Sequence, residues 1–97
     1  LGYKVSTLND PTRFWPVLKQ QHPDLLLLDV EMPVINGLEL CQMIRADPQW
    51  NKIPILFLTA FEDEKTQRLA FEVGADDFIP KPIQMNHLVP RIQNRLR

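Results

Sequence analysis

Asp29, Thr59 and Lys81 are residue types that fit a single chemistry. A carboxylate can act as a nucleophile toward phosphorus, and an ammonium group can neutralise charge that develops on a phosphoryl group. A hydroxyl can donate a hydrogen bond to a phosphoryl oxygen. Phosphoryl transfer asks mainly for positioning and charge stabilisation. A phosphorylated carboxylate also concentrates negative charge, which a hard divalent cation with oxygen ligands, such as Mg²⁺, would offset.

The segments in front of these residues explain how they could meet. Asp29 follows Leu25, Leu26, Leu27 and Leu28, a run apolar on both faces, as expected of a central parallel strand covered by helices on each side. In such sheets ligands gather at the C-terminal ends of the strands, where Asp29 falls. Met32-Pro33 then stops the strand and turns the chain toward Asn36-Gly37 and a helix. Ile53 to Leu58 (IPILFL) reads as a second doubly buried strand, with Pro54 near its start, and it ends at Thr59-Ala60. Phe78 to Pro80 is a short strand that ends at Lys81-Pro82. Each of the three polar residues thus closes one of three successive parallel strands.

Helices must fill the intervals. Tyr3 to Thr7 reads as a first strand, and Asn9-Asp10-Pro11 as a helix start with Asp10 as N-cap. That helix runs to about Gln21, and Pro16 predicts a kink or a late start. From Gly37 to Ala46, Leu40, Cys41 and Ile44 recur at helical spacing, and Asp47-Pro48 ends the element. Glu62, Asp63 and Glu64 suit the first turn of a third helix, whose apolar face is Leu69, Ala70 and Val73 and whose C-cap is Gly74. Asn86 to Arg97 is a last helix, in which Pro90 is tolerable only near the first turn. Alternation of strand and helix with short connections indicates a wound α/β sheet.

Composition agrees with one small domain. The chain has 97 residues, 44% hydrophobic and 24% charged, with a net charge of −1. There is no basic stripe of the kind that nucleic-acid binding needs, so any DNA output would require another domain. A single cysteine, Cys41, excludes an internal disulfide and fits a small core position. No apolar run approaches membrane-spanning length and no signal-like N-terminus is seen, which points to a cytoplasmic, non-membrane protein.

With LLLLDVEMPVING, the strand ending LTA and GADDFIPKP in this order over most of the chain, the sequence resembles the receiver domain of two-component response regulators. The resemblance implies a flavodoxin-like wound parallel sheet with strand order 2-1-3-4-5. It implies that Asp29 accepts phosphate from the phosphohistidine of a histidine kinase or phosphotransfer protein, and that Asp29 and the Glu31 backbone carbonyl hold Mg²⁺. Thr59 would move to the acyl phosphate, Phe78 would swing inward after it, and Lys81 would pair with the phosphate. The Lys81-Pro82 peptide is expected to be cis, an isomer that only proline makes accessible. Such a domain is a switch and not a turnover enzyme, although it can catalyse its own phosphorylation and dephosphorylation. Its readout surface would be Lys65 to Val73, Phe78 to Pro80 and Leu88 to Arg95, available for a homodimer or an output domain.

One departure stands out. The family begins with a strand and helix carrying an acidic magnesium-binding pair, whereas this chain opens at Leu1-Gly2-Tyr3, close to the family's second strand. Residues 1–97 therefore read as an N-terminally incomplete receiver, in which Leu25 to Leu28 are expected to be partly unpaired. A fragment, a strand supplied by another chain and a rearranged domain all fit that opening. Loss of the acidic pair also leaves room for a receiver-like binding module that works without phosphorylation, although Asp29, Thr59 and Lys81 oppose it. A haloacid-dehalogenase-type phosphatase is disfavoured, because Glu31 stands where its second aspartate belongs and no cap insertion fits. Asp76-Asp77 precedes its strand and is read as structural. Glu62 and Asp63 are read as helix-start residues, His22 and His87 as surface residues, and Trp15 and Trp50 as covers of apolar edges.

Overall fold

In the computed structural model, which describes residues 4–8, 10, 13–30, 36–60 and 64–96, strands and helices alternate from one end to the other. The order is β1 (Val5–Leu8), α1 (Phe14–Gln21), β2 (Leu25–Asp29), α2 (Gly37–Ala46), β3 (Ile55–Thr59), α3 (Glu64–Glu72), β4 (Asp77–Pro80) and α4 (Met85–Arg95). The four strands form one parallel sheet in the order β1-β2-β3-β4. Among the described residues no helix is long and apolar enough to cross a membrane.

Strand alternation divides the core in two. Leu8, Leu26, Leu28, Ile55 and Phe57 face one side, where they pack with Val17 and Leu18 of α1, Leu40, Cys41 and Ile44 of α2, and Ala70 of α3. Leu25, Leu27, Leu56, Leu58 and Ile79 face the other, against Leu88 and Ile92 of α4. Both faces of β2 are therefore covered, as its leucine run requires. Burial of each leucine contributes about 1.5–3 kcal/mol.

Several boundaries differ from the sequence reading for local reasons. The leucine strand is not left partly unpaired, because β1 lies directly against it in register, Val5 with Leu25 through Leu8 with Leu28, and β3 takes its other edge. The first strand ends one residue later than expected, at the buried Leu8, and Tyr3 is outside the described residues. Asp10 is not the N-cap of α1; Arg13 is, without a side-chain cap bond. Pro16 accordingly occupies the third helical position, where its missing N–H would have had no intrahelical partner, so the helix starts late and needs no kink. Ile53 and Pro54 precede β3, with the Ile53 N–H held by the Trp50 carbonyl in a turn. In α3 only Ala70 of the expected apolar face is buried, while Leu69 is 37% exposed. Helix α4 starts at Met85, so Pro90 falls in its second turn, where it removes a donor to the Asn86 carbonyl. Of the expected acidic start of α3, Glu62 and Asp63 lie outside the described residues.

The N-terminal end of the sheet is fastened by Arg45 of α2. Its Nη1 donates to the carbonyls of Ile53 (2.6 Å) and Asn51 (3.1 Å), and its Nε and Nη2 donate to Gly74 O (2.9 and 2.7 Å). Nη2 also pairs with Asp76 Oδ2 at 3.1 Å, and the same oxygen accepts the Ile55 N–H at 2.8 Å. Gly74 has φ 103°, and a Cβ there would meet Arg45 Nε at 2.9 Å, so glycine serves both the backbone and the guanidinium. Arg45→Ala would strip several backbone carbonyls of their donor, and the expected loss is on the order of 2–4 kcal/mol, read as a lower denaturant midpoint with unchanged secondary structure below it.

Cys41 lies beneath this clamp, fully buried, with Sγ 3.3 Å from the Val73 carbonyl. Burial pushes its thiol up to about 11, with smaller opposing effects from Arg45, which lowers it, and Asp76, which raises it. Because the raised value favours the neutral thiol in the folded state, its stabilising contribution is complete below the unfolded thiol's ordinary value near 9 and is lost as pH rises from there toward 11. At pH 8 a thiol-selective reagent should label the folded protein only at the rate of unfolding. Prompt stoichiometric labelling without denaturant would contradict this burial.

Candidate functional site

Three strands deliver the chemically interesting residues to one end of the sheet. Asp29 is the last residue of β2 and Thr59 the last of β3, while Lys81 immediately follows β4. The register sets Asp29 beside Leu58 and Thr59 beside Pro80, so the three strand ends are level to within a residue. Lys81 Nζ reaches Asp29 Oδ2 at 2.7 Å, across 52 residues of sequence. The side chains are 32% and 16% exposed, so the pair is accessible without being fully solvated. Thr59 is 2% exposed and lies between these two strands in the sheet.

The backbone around this ion pair is held in place. Gly37, the first residue of α2, packs so closely on β2 that a Cβ would come within 2.5 Å of the Asp29 carbonyl oxygen. Its N–H donates to Val30 O at 3.0 Å, and the Val30 N–H donates to Leu58 O at 3.0 Å. Asn36 caps the helix, with Oδ1 accepting the Glu39 N–H at 2.9 Å. On the other side of the site the Lys81 N–H donates to Thr59 O at 2.8 Å, next to a cis Lys81-Pro82 peptide.

Phe78 lies two residues before Pro80, half-buried, with its ring edge-on to Phe71 at 5.8 Å between centroids. Its backbone is pinned at both polar groups. The N–H donates to Asp77 Oδ1 (2.8 Å), and the carbonyl accepts from Arg91 Nη1 (2.6 Å). Arg91 also approaches Asp77 Oδ1 at 3.5 Å. Neither Arg91 nor Phe71 stood out in the sequence. Both are ordinary surface-compatible helix residues, and their partners come from β4, so no local signal marks them.

Other candidates fall elsewhere. Asp76 and Asp77 are at the opposite end of the sheet from Asp29, occupied with Arg45 and Arg91. His22 closes α1 in the left-handed region (φ 45°) and packs beside Trp50, with ring centroids 5.8 Å apart. Trp50 is buried, whereas Trp15 is 37% exposed with Lys19 Nζ above its ring. His87 lines a shallow cleft with Ile79, Pro80, Lys81, Pro82 and Gln84. Glu31 lies outside the described residues. Among the described residues no three acidic, histidine or cysteine side chains gather as metal ligands. The Asp29 carboxylate could supply one anionic ligand, which would fit Mg²⁺, an ion that keeps several waters and takes one or two carboxylates together with phosphate oxygens.

The chain is similar to known proteins in sequence and fold. The family described as the response regulator receiver domain matches residues 1–93. Protein RcaC of Microchaete diplosiphon is 52% identical over 96 residues, covering 99% of this chain and 15% of that protein. The DNA-binding response regulator MtrA of Mycobacterium leprae is 38% identical over 96 residues, covering 99% of this chain and 41% of MtrA. Among solved structures, the BeF3-activated N-terminal receiver domain of Klebsiella pneumoniae RstA superposes with a TM-score of 0.82 at 28% identity, covering 96% of this chain and 97% of that one. The chain thus spans less than half the length of these curated relatives. Its parallel sheet, the strand-end ion pair and the match over residues 1–93 place the chain in the response regulator receiver domain family of two-component signalling.

Proposed function

We propose that Asp29 is the phosphoacceptor of this receiver domain and that its phosphorylation switches an output or dimerisation surface. The observation that carries the reading is the 2.7 Å contact between Lys81 Nζ and Asp29 Oδ2 at the accessible end of a parallel sheet. In the transfer, an Asp29 carboxylate oxygen bonds to phosphorus while the P–N bond to the donor's phosphohistidine breaks. The electron pair of that bond leaves with the imidazole nitrogen. Lys81, already at the carboxylate, is placed to follow the charge onto the phosphoryl oxygens. Thr59, at the neighbouring strand end, is placed to donate its hydroxyl hydrogen to one of them.

Mg²⁺, held by Asp29 and the Glu31 backbone carbonyl, would supply charge neutralisation for the phosphoryl group. The partner is a histidine kinase or a phosphotransfer protein. RcaC and MtrA are much longer than this chain, and MtrA is named as DNA-binding. That supports an output domain outside residues 1–97, with the surface of α3, β4 and α4 as its contact or as a homodimer interface.

Incubation with Mg²⁺ and a small acyl phosphate, followed by intact-mass measurement, tests the assignment. One labile phosphoryl increment is expected on the wild-type chain and none on Asp29→Asn. Lys81→Ala should slow uptake on the order of a hundredfold while leaving the fold intact by circular dichroism. Undiminished uptake by Asp29→Asn would move the acceptor elsewhere. Absence of uptake by a folded wild-type chain would favour the phosphorylation-independent binding module.

A further inference from the structure

Phe71 of α3 makes an aromatic contact with Phe78 of β4. The Phe78 backbone is tied by its N–H to Asp77 Oδ1 and by its carbonyl to Arg91 Nη1, and the strand pairs it with Phe57. With the backbone held, the ring can respond to its surroundings only by side-chain rotation. Phe78 packs against the core cluster that contains Phe57 and Ala70, so it is on the α3 side of the sheet. Thr59 is two residues beyond Phe57 in the same strand and shares that face. Phe78 and Thr59 are therefore diagonal neighbours on one face, and space left by a displaced Thr59 side chain opens on the side where Phe78 can turn.

Phe71 of α3 contacts the Phe78 ring. The two rings meet edge to face at 5.8 Å, an arrangement with a net attraction beyond simple area burial, and Phe71 is itself 49% exposed. We infer that Phe71 is a positioning residue that clasps Phe78 in its half-exposed pose and so opposes occupation of the Asp29 site. The inference rests on the proposed role of Asp29 and on a movement of Thr59 toward the phosphoryl group it would carry. Any ligand that favours the turned ring must break the clasp, and by linkage removal of the clasp must favour that ligand. It also links the state of the site to the surface of α3, since a departing Phe78 ring leaves Phe71 without its aromatic partner.

Beryllofluoride, a phosphoryl mimic, can be titrated with Mg²⁺ while the bound fluoride is followed by ¹⁹F NMR. A contact of this type biases the two ring poses by a factor between about two and ten. Phe71→Ala is therefore expected to tighten apparent beryllofluoride binding two- to tenfold. In a Phe78→Ala background the same substitution should have no effect, which separates a clasp on Phe78 from a general loosening of α3. Thermal melts of all four proteins check that each is folded. Unchanged affinity in Phe71→Ala, or an equal change with and without Phe78, overturns the clasp and leaves the acceptor assignment standing. Failure of the folded wild-type chain to bind beryllofluoride would overturn the acceptor assignment itself, and the clasp with it.

Discussion

The arrangement depends on holding Asp29 and Lys81 together at the edge of an apolar sheet. A half-buried ion pair contributes little net stability, because the cost of drying its charges offsets much of the attraction between them. The pair therefore does not hold the fold together; the fold holds the pair. Leu25 to Leu28 anchor β2 through both faces, β3 fixes its register, and β4 brings Lys81 to the same end of the sheet as Asp29. A shift of one residue in either pairing would turn alternate side chains to the opposite face and carry Lys81 away from the carboxylate.

The two ends of the sheet divide the work. At the N-terminal end Arg45 gathers carbonyls from two loops and a carboxylate, and Gly74 makes room for it. These are charge-assisted bonds to groups that are partly withdrawn from water, and they suit a rigid anchor. At the C-terminal end the Lys81–Asp29 pair is likewise partly withdrawn from water, and a glycine again permits close packing, this time of α2 on the Asp29 backbone. An anchor at one end and an ion pair at the other would let Asp29, in the proposed role, change charge without loosening the core.

The legible parts of the sequence were those in which one local pattern decides the outcome. Four leucines followed by an aspartate announce a covered strand and its functional end, and Asn36-Gly37 announces the start of α2, where both residues now have distinct tasks. The positions of Asp29, Thr59 and Lys81 at three strand ends followed from the same patterns. What escaped depends on partners distant in sequence. Direct pairing of β1 with β2 is a choice between neighbours that no strand records in its own composition. Arg45 and Arg91 read as solvated helix residues until the loops and strands that receive their bonds are in place. Proline was informative but ambiguous. Pro16 marked a late helix start, whereas Pro90 sits in the second turn of α4, an interior position that helix propensity disfavours and packing of Leu88 and Ile92 overrides.

With Asp29 as acceptor, phosphorylation alters the electrostatics more than the packing. Asp29 and Lys81 together are close to neutral, and a phosphoryl group brings additional negative charge to a half-buried position. That charge would have to be matched by nearby donors, and among the described residues the Lys81 ammonium touches Asp29 while Thr59 stands at the adjacent strand end. The Lys81 N–H is bonded to Thr59 O, so the two donors share a backbone link and a displacement of one strand end is felt by the other. Complete switching between 1:99 and 99:1 would need about 5.5 kcal/mol of differential stabilisation. A few charge-assisted hydrogen bonds of about 1.5–3 kcal/mol each reach that scale. A single aromatic contact does not, so it can set the resting balance without locking the domain in one state.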